Sequence, residues 1–476
     1  MSTIKEQLLK LDDVELIERK RALRDFMFYH GECEDQEAAA LNSDILGQNW
    51  ITLDDLDYTP SQIIDNKIKP LINKQARFMF SRKPDINFKA YDEADNDTVH
   101  ELNQFIDIIL DKNKFWSQTM KAFRLATVTK RVMLRMEANP NEPIRLFWHG
   151  INDFDYEVDP NDPTNLLKVI LVKQDPSTTG KIESEQIWFR YTYYMNESKC
   201  MLKTEKFKGN QLTIPFEAAD QDTTLIKIPC WVVCNEQSIG ESYGISDIKD
   251  LKPLQDQYNR KLSDFSDALR FNMFGQDVII DATPESVENV KVAPNSLLPL
   301  VSLDDKTAAY NKVENTFSNA APVKMFLDIL NDSMHEKLAI PKPEEIRSVV
   351  SGKAYKYMFT ELMARCDEKW IDWEPIFRQL IQMIVESCDQ FNCYDEWNKD
   401  WNPSLYNMAI TKHYPIPEDE EDKKRLGMEE VAANVRSHRS YIKEFSDDET
   451  YDEEFTKICE DLSNITAAEN EQFNQV

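Results

Sequence analysis

The chain has 476 residues, 41% apolar and 30% charged, which reads as a folded, soluble protein of about three domain-sized units. A formal charge of −29 and only 10 glycines argue against a protein that grips nucleic acid or an anionic membrane surface, and against Gly-rich phosphate loops. The same charge is compatible with a wall that DNA passes without sticking, because acidic groups repel phosphate.

Residues 1–60 are polar. A helix is predicted from Glu15 to His30, with Leu16, Leu23, Phe26 and Met27 near helical spacing and Gly31 as its stop. The start, MSTIKEQLLKLDD, has no apolar signal-peptide region, and no apolar run in the chain nears the roughly 20 residues that span a bilayer, so no membrane partner is expected. Residues 31–60 are acidic and irregular. Three helices follow: Ser61–Phe80, carrying Ile64, Ile68, Leu71 and Ile72 on one face; about Asp97–Leu110; and Phe115 to about Lys130. DINFKA and VMLRME read as short strands after the first and third. Residues 132–232 are strand-dominated (IRLFWHG, FDYEVDP, LLKVILVKQD, IWFRYTYYM, CMLKTEKF), with turn signals at Asn139-Pro140, Asp159-Pro160 and Thr179-Gly180. They predict an antiparallel meander.

From 242 to 275 the pattern is helical again. Ile245, Ile248, Leu251, Leu254, Tyr258, Leu262, Phe265 and Leu269 keep three- and four-residue spacing, and Pro253 either kinks the helix or marks its true start. Short strands and loops (DVIID, VKVAP, SLLPLVSL) occupy 276–319. A helix from about Pro322 to Leu338, a Pro-bearing loop Ile340–Ser351 and a long helix Gly352–Phe391 with a kink at Pro375 come next. LYNMAITKHY reads as a strand, and the last sixty or so residues are helical and very acidic. The fold class is α+β, mainly helical, without internal repeats. Two long helices bracket a small β-unit, which gives a protruding hairpin; repeated around a ring, such pairs line a channel.

Enzymatic chemistry finds little support. SGKA at Ser351–Ala354 resembles the end of a P-loop, but Arg347 stands at the upstream glycine position and Ala354 where a Mg²⁺-binding hydroxyl is needed; Ser351 reads instead as a helix N-cap. Asp153 with Asp155, Asp159 with Asp162, Glu418–Asp422 and Asp85 fit no metal-loop or nuclease pattern and read as turns and solvated faces. The eight cysteines (Cys33, Cys200, Cys230, Cys234, Cys366, Cys388, Cys393 and Cys459) form no CxxC pair and no zinc spacing, consistent with a reducing compartment. His149 beside Trp148 reads as structural. Trp370 with Trp373, and Trp397 with Trp401, fit core or interface anchors better than base-stacking platforms. No cofactor and no metal are expected.

Five segments in order carry a resemblance: Asn66–Phe88 (NKIKPLINKQARFMFSRKPDINF), His149–Gln174, Ile228–Phe271, His335–Trp370, and an acidic tail holding ITKHYPIPEDEEDKKRL, SHRSYIKEF and DDETYDEEFTKICEDL. Together they resemble the portal proteins of tailed bacteriophages, in the SPP1-like family, over about residues 15–465. The resemblance implies a non-enzymatic, homododecameric ring at one capsid vertex, in the virion and, during assembly, in the host cytoplasm. It implies a wing (1–240 and 352–412), a stem (241–275 and 320–339), a clip (276–319), a tunnel loop (340–351) and an acidic helical crown (413–476). It further implies double-stranded DNA passing through the channel, and a terminase large subunit, a head-completion or adaptor protein, scaffold and major capsid protein as partners. The candidate DNA-facing loop residues are Lys342, Arg347, Lys353 and Lys356; the candidate channel-lining stem residues are Lys249, Lys252, Arg260, Lys261 and Lys324. Around the loop, Pro341, Pro343, Glu344 and Glu345 depart from the family's small, flexible residues, and the cations there could instead pair with Glu344 and Glu345 of neighbouring loops. Competing readings are an acidic metal-dependent DNA-processing enzyme and another capsid-associated structural protein.

Overall fold

The longest helix runs from Thr360 to Phe391, and its sequence explains its burial. Leu362, Cys366, Lys369, Trp373, Phe377, Leu380, Ile384 and Cys388 recur every three or four residues and are all buried. Pro375 sits inside this helix. The amide it lacks would have bonded the carbonyl of Ile371, which is exposed, so water can replace that bond.

The computed structural model describes residues 3–31, 60–91, 95–162, 164–197, 199–241, 243–273, 276–284, 301–302, 306–313, 320–348, 352–399, 401, 403–416, 420–433, 435–445, 454–461 and 463. In chain order the main elements are α1 (Ile4–Leu9), α2 (Asp13–His30), α3 (Ile68–Phe80), β1 (Asp85–Lys89), α4 (Asn96–Lys112), α5 (Phe115–Thr129), β2 (Arg131–Glu137), β3 (Arg145–Gly150), β4 (Phe154–Val158), β5 (Leu166–Gln174), β6 (Ile187–Asn196), β7 (Lys199–Lys208), β8 (Glu217–Asp222) and β9 (Cys230–Cys234). They continue with α6 (Lys252–Met273), β10 (Gln276–Ile280), β11 (Ala309–Val313), α7 (Ala320–Lys337), α8 (Pro343–Ser348), α9 (Gly352–Met358), α10 (Thr360–Phe391), β12 (Asn407–Thr411), α11 (Glu420–Ala432) and α12 (His438–Phe445). The chain divides into two compact units: residues 1–342 with 361–414, and residues 343–360 with 415–476.

In the first unit, β4 to β8 form a sequential antiparallel meander; β4 to β7 are runs that the sequence predicts, and the fully exposed β8 is added to them. The strand read from IRLFWHG belongs to a second sheet of order β3-β2-β9. β1 pairs with β12, Asp85 opposite Thr411, so the segment after the long helix returns to the N-terminal part of the unit. An aromatic cluster joins these layers: Phe80 of α3, Phe123 of α5, Trp148 of β3, and Trp373 and Phe377 of α10, with ring centroids 5.4–6.3 Å apart in the contacting pairs. A second cluster stacks Trp397 and Trp401 against Phe105, each at 5.5 Å. These tryptophans are core anchors. Cys230 and Cys366 are buried too, and burial pushes each thiol up to about 12, so neither is a ready nucleophile.

Several sequence expectations change, and the alternative left open at Pro253 is decided. Ser61–Lys67 is not helical; α3 begins at Ile68, and residues 60–67 lie in neither helix nor strand. α2 forms and stops at Gly31 in the left-handed conformation, as predicted, but it buries Glu15, Glu18, Arg19 and Asp25, while Val14 and Ile17 are exposed. Ion pairs account for this inversion: Arg19 bonds Glu15 at 2.7 Å and reaches Asp155 at 3.3 Å, and Arg131 also binds Glu15. Pro253 marks a helix start rather than a kink, since α6 opens at Lys252. The helix expected as one piece over Gly352–Phe391 is two, separated at Phe359, whose amide makes an i−3 bond to Lys356 O. Half of 340–351 is helical: α8 spans Pro343–Ser348. The VKVAP segment, most of SLLPLVSL, Cys33 and Ser351 lie outside the described residues.

In the second unit, α11 and α12 pack together through a tight point at Gly427, where an added Cβ would come within 2.8 Å of the Tyr441 ring. Its C-terminal helices are polar, as the acidic tail predicts.

Candidate functional site

The site is built from the helix pair α6–α7 and its attachment to the body. The two helices pack against each other, and the β10–β11 pair lies between them in sequence, with Gln276 opposite Val313. Leu330 and Met334 of α7 are buried, whereas Met325, Phe326 and Ile329 nearer its start are exposed. On α6 the apolar stripe Leu254, Tyr258, Leu262 and Phe265 is only half-buried. The buried stripe is the polar one beside it: Gln255, Asn259, Ser263 and Asp267. Four-residue spacing of polar side chains was visible in the sequence, but an apolar stripe of the same period lies one residue away and masks it.

The foot of α6 is held by a buried ionic cluster. Asp247 is fully buried and accepts bonds from Lys369 Nζ and Asn235 Nδ2, both at 2.8 Å, and from Gln75 Nε2 at 3.1 Å. Lys369 also bonds Asn235 Oδ1 at 2.7 Å and Glu236 at 2.8 Å, and Arg365 lies 3.3 Å from Asp247. Burial alone would raise the Asp247 carboxyl, but Lys369 and Arg365 outweigh it and hold it below the usual range. α10 therefore grips the turn that leads into α6. The backbone is drawn in just as closely. Ile245 N bonds Asn235 O at 2.7 Å, and a Cβ on Gly244 would sit 2.4 Å from that same oxygen, so only glycine fits there.

Beside this foot is a cleft of about 610 Å³ between α2, Lys130 and residues 241–252. Its charges are mostly satisfied inside the chain. Glu18 pairs with Arg21 and, at 2.7 Å, with Lys130, and Lys252 meets Asp25 at 2.5 Å.

The candidate channel residues fall as follows. Lys249 precedes α6, in the turn at the cleft, and is exposed. Lys252 opens α6 and is paired as described. Arg260 bonds Asp256 at 2.8 Å and Lys261 bonds Asp264 at 2.9 Å, both along the helix surface. Lys324 is exposed in the first turns of α7. Lys342 pairs with Asp332 at 2.7 Å in the first unit. Arg347 on α8 and Lys356 on α9 are exposed in the second unit, and the Lys353 side chain lies outside the described residues. The loop cations are thus divided between the two units.

Five of the carboxylates weighed as metal ligands have other partners, and Glu418 and Asp419 lie outside the described residues. Asp153 bonds Lys5 at 2.5 Å, Asp155 faces Arg19, Asp159 and Asp162 cap their own turns, and Asp85 bonds His413 at 2.7 Å. Among the described residues no three His, Cys, Asp or Glu side chains converge on a metal-sized site, and no helix is long and apolar enough to cross a membrane. His149 is buried, and that burial, with Lys173 and Arg135 nearby, lowers it to about 3, so it is neutral at physiological pH.

Compared with known protein families, the chain matches one described as "Phage portal protein, SPP1 Gp6-like" over residues 9–467. A comparison with curated proteins gives no match.

Proposed function

The chain belongs to the SPP1 Gp6-like phage portal protein family, and we propose that twelve copies form a ring at one capsid vertex through which double-stranded DNA is packaged and ejected. The observation that carries this reading is the family match across nearly the whole chain. The family is structural, and the chain is a bacteriophage capsid component that serves genome packaging and head–tail connection. In the proposed ring, residues 1–240 and 352–412 form the wing, 241–275 and 320–339 the stem, 276–319 the clip and 413–476 the crown.

Two features support the ring. The half-buried apolar stripe of α6 and the exposed Met325, Phe326 and Ile329 of α7 leave apolar surface for neighbouring copies to cover. The charge supports a channel that does not retain its cargo: twelve copies carry about −350, so phosphate contacts are weak and non-specific. Arg347, Lys353 and Lys356 are the loop cations proposed to touch DNA; Lys342 has an internal partner in Asp332 and contributes less. The clip would dock the terminase large subunit and then head-completion or adaptor proteins. The wing and crown would meet scaffold and major capsid protein and nucleate the procapsid. ATP hydrolysis belongs to the terminase in this scheme.

The mass of the purified protein in solution tests the ring. Twelve 55.7-kDa chains give about 670 kDa. A species of one or two chains at micromolar concentration would contradict the proposal.

A further inference from the structure

Residues 61–67 run alongside α6 in neither helix nor sheet, and their alternate amides face it as those of an extended chain would. Alternate amides of this segment donate to side chains four residues apart on the helix. Lys67 N reaches Gln255 Oε1 at 2.8 Å, Asp65 N reaches Asn259 Oδ1 at 3.2 Å, Ile63 N reaches Ser263 Oγ at 2.9 Å, and Ser61 N reaches Asp267 Oδ2 at 3.0 Å. Ser61 also donates its hydroxyl to Asp267 at 2.6 Å, and Gln255 Nε2 returns a bond to Asp65 O at 2.9 Å.

The two repeats match. Two residues of extended chain advance about 6.6 Å and four residues of helix advance about 6 Å, so four rungs stay in step with small side-chain adjustments. The helix face therefore acts as a substitute edge strand made of side-chain acceptors.

The joint differs from a packed seam. Opening it exposes amides and polar side chains that water can satisfy, whereas opening an apolar seam exposes surface that water cannot. α6 keeps its own backbone bonds either way. One rung is incomplete, since the buried Asn259 Nδ2 has no hydrogen-bond partner among the described residues. The strap is also asymmetric. Its Lys67 end runs into Ile68, which is buried at the start of α3. Its outer end rests on the one charged acceptor, Asp267, and such bonds are stronger than neutral ones.

We propose that residues 61–67 are a releasable strap on α6, latched by Ser61 on Asp267. It holds the helix in one rotational setting against the body and peels from its outer end to let the helix take another. The use of the second setting, closing the apolar stripe of α6 against a neighbouring copy, rests on the ring reading; the strap itself does not.

Residue-resolved hydrogen exchange on the full-length chain tests it. The amides of Ser61, Ile63 and Asp65 should exchange as a group, roughly tenfold faster than the amides of Asn259–Asp267. Asp267→Asn, which keeps the shape and one acceptor, should speed that group severalfold further and leave α6 unchanged. Strap amides exchanging no faster than those of α6 would overturn the proposal, as would equal acceleration of strap and helix in Asp267→Asn. Because the measurement is made within one chain, a failure to find rings would not affect its outcome.

Discussion

At the scale of single residues, the body depends on buried charges that are paired and on one buried imidazole that is not charged. Lys369 and Asp247 are both almost completely buried, so removing Lys369 leaves the Asp247 carboxylate with only the longer ion pair to Arg365. Lys369→Met should cost about 3–5 kcal/mol in urea unfolding. The Asp247 carboxyl is held below its ordinary value, so its contribution is complete above about pH 4 and is lost as pH falls through the folded value. His149 acts in a different window. Its folded value of about 3 lies below the unfolded value near 6.5, so below that pH the unfolded chain takes a proton that the folded chain refuses. This term is complete above about pH 6.5 and weakens as pH drops toward 3, by up to ~1.4 kcal/mol per pH unit. His149→Gln should flatten the stability profile between those limits; an unchanged slope would show that the imidazole is protonated in the fold. The sequence separates structural from reactive groups well at this scale. Trp373, Trp397, Trp401 and His149 are core residues, and their spacing and neighbours indicate it. The partners of Asp247 were not legible, because Asn235, Gln75 and Lys369 come from three distant segments whose convergence depends on tertiary packing.

At the scale of elements, the turn into α6 is where backbone and ion pairs converge. Gly244→Ala places a methyl against two carbonyl oxygens and should lower stability by more than about 2 kcal/mol, read as a fall in Tm. On α7, Met325 and Ile329 are 66% and 48% exposed, so Ile329→Glu should leave Tm of the unassembled chain nearly unchanged while reducing assembly. Sedimentation measures assembly directly, and a full-sized assembly in that variant would remove this face from the interface. Long periodic elements were legible in the sequence: α4, α5, the greater part of α10 and strands β4–β7 lie where their periods place them. Two misreadings share a cause. In α2 the apolar residues picked out by spacing, Leu16, Leu23, Phe26 and Met27, are only half-buried beside the buried Glu15, Glu18, Arg19 and Asp25, and in α6 the polar stripe is the buried one. Periodicity identifies a helix but does not say which face turns inward when polar side chains find partners there. The strap escaped for the same reason. Ile64, Ile68, Leu71 and Ile72 continue a helical pattern across 61–72, yet the amides of 61–67 bond to α6 side chains instead of to their own turns.

At the scale of the whole molecule, the charge of −29 and the family membership motivate the proposed ring of acidic subunits, whose channel would repel the cargo it conducts. The few cations of the loop region then matter by contrast. Arg347 and Lys356 are exposed, and reversing both to Glu should leave the assembled mass unchanged while lowering the amount of DNA packaged or retained; normal packaging would show that they serve another contact. The central claim itself is geometric, and negative-stain electron microscopy of the purified protein tests it most directly. The account predicts closed rings with a central hole and twelvefold end-on views. Uniform small particles without a hole, or open chains of subunits that never close, would contradict it.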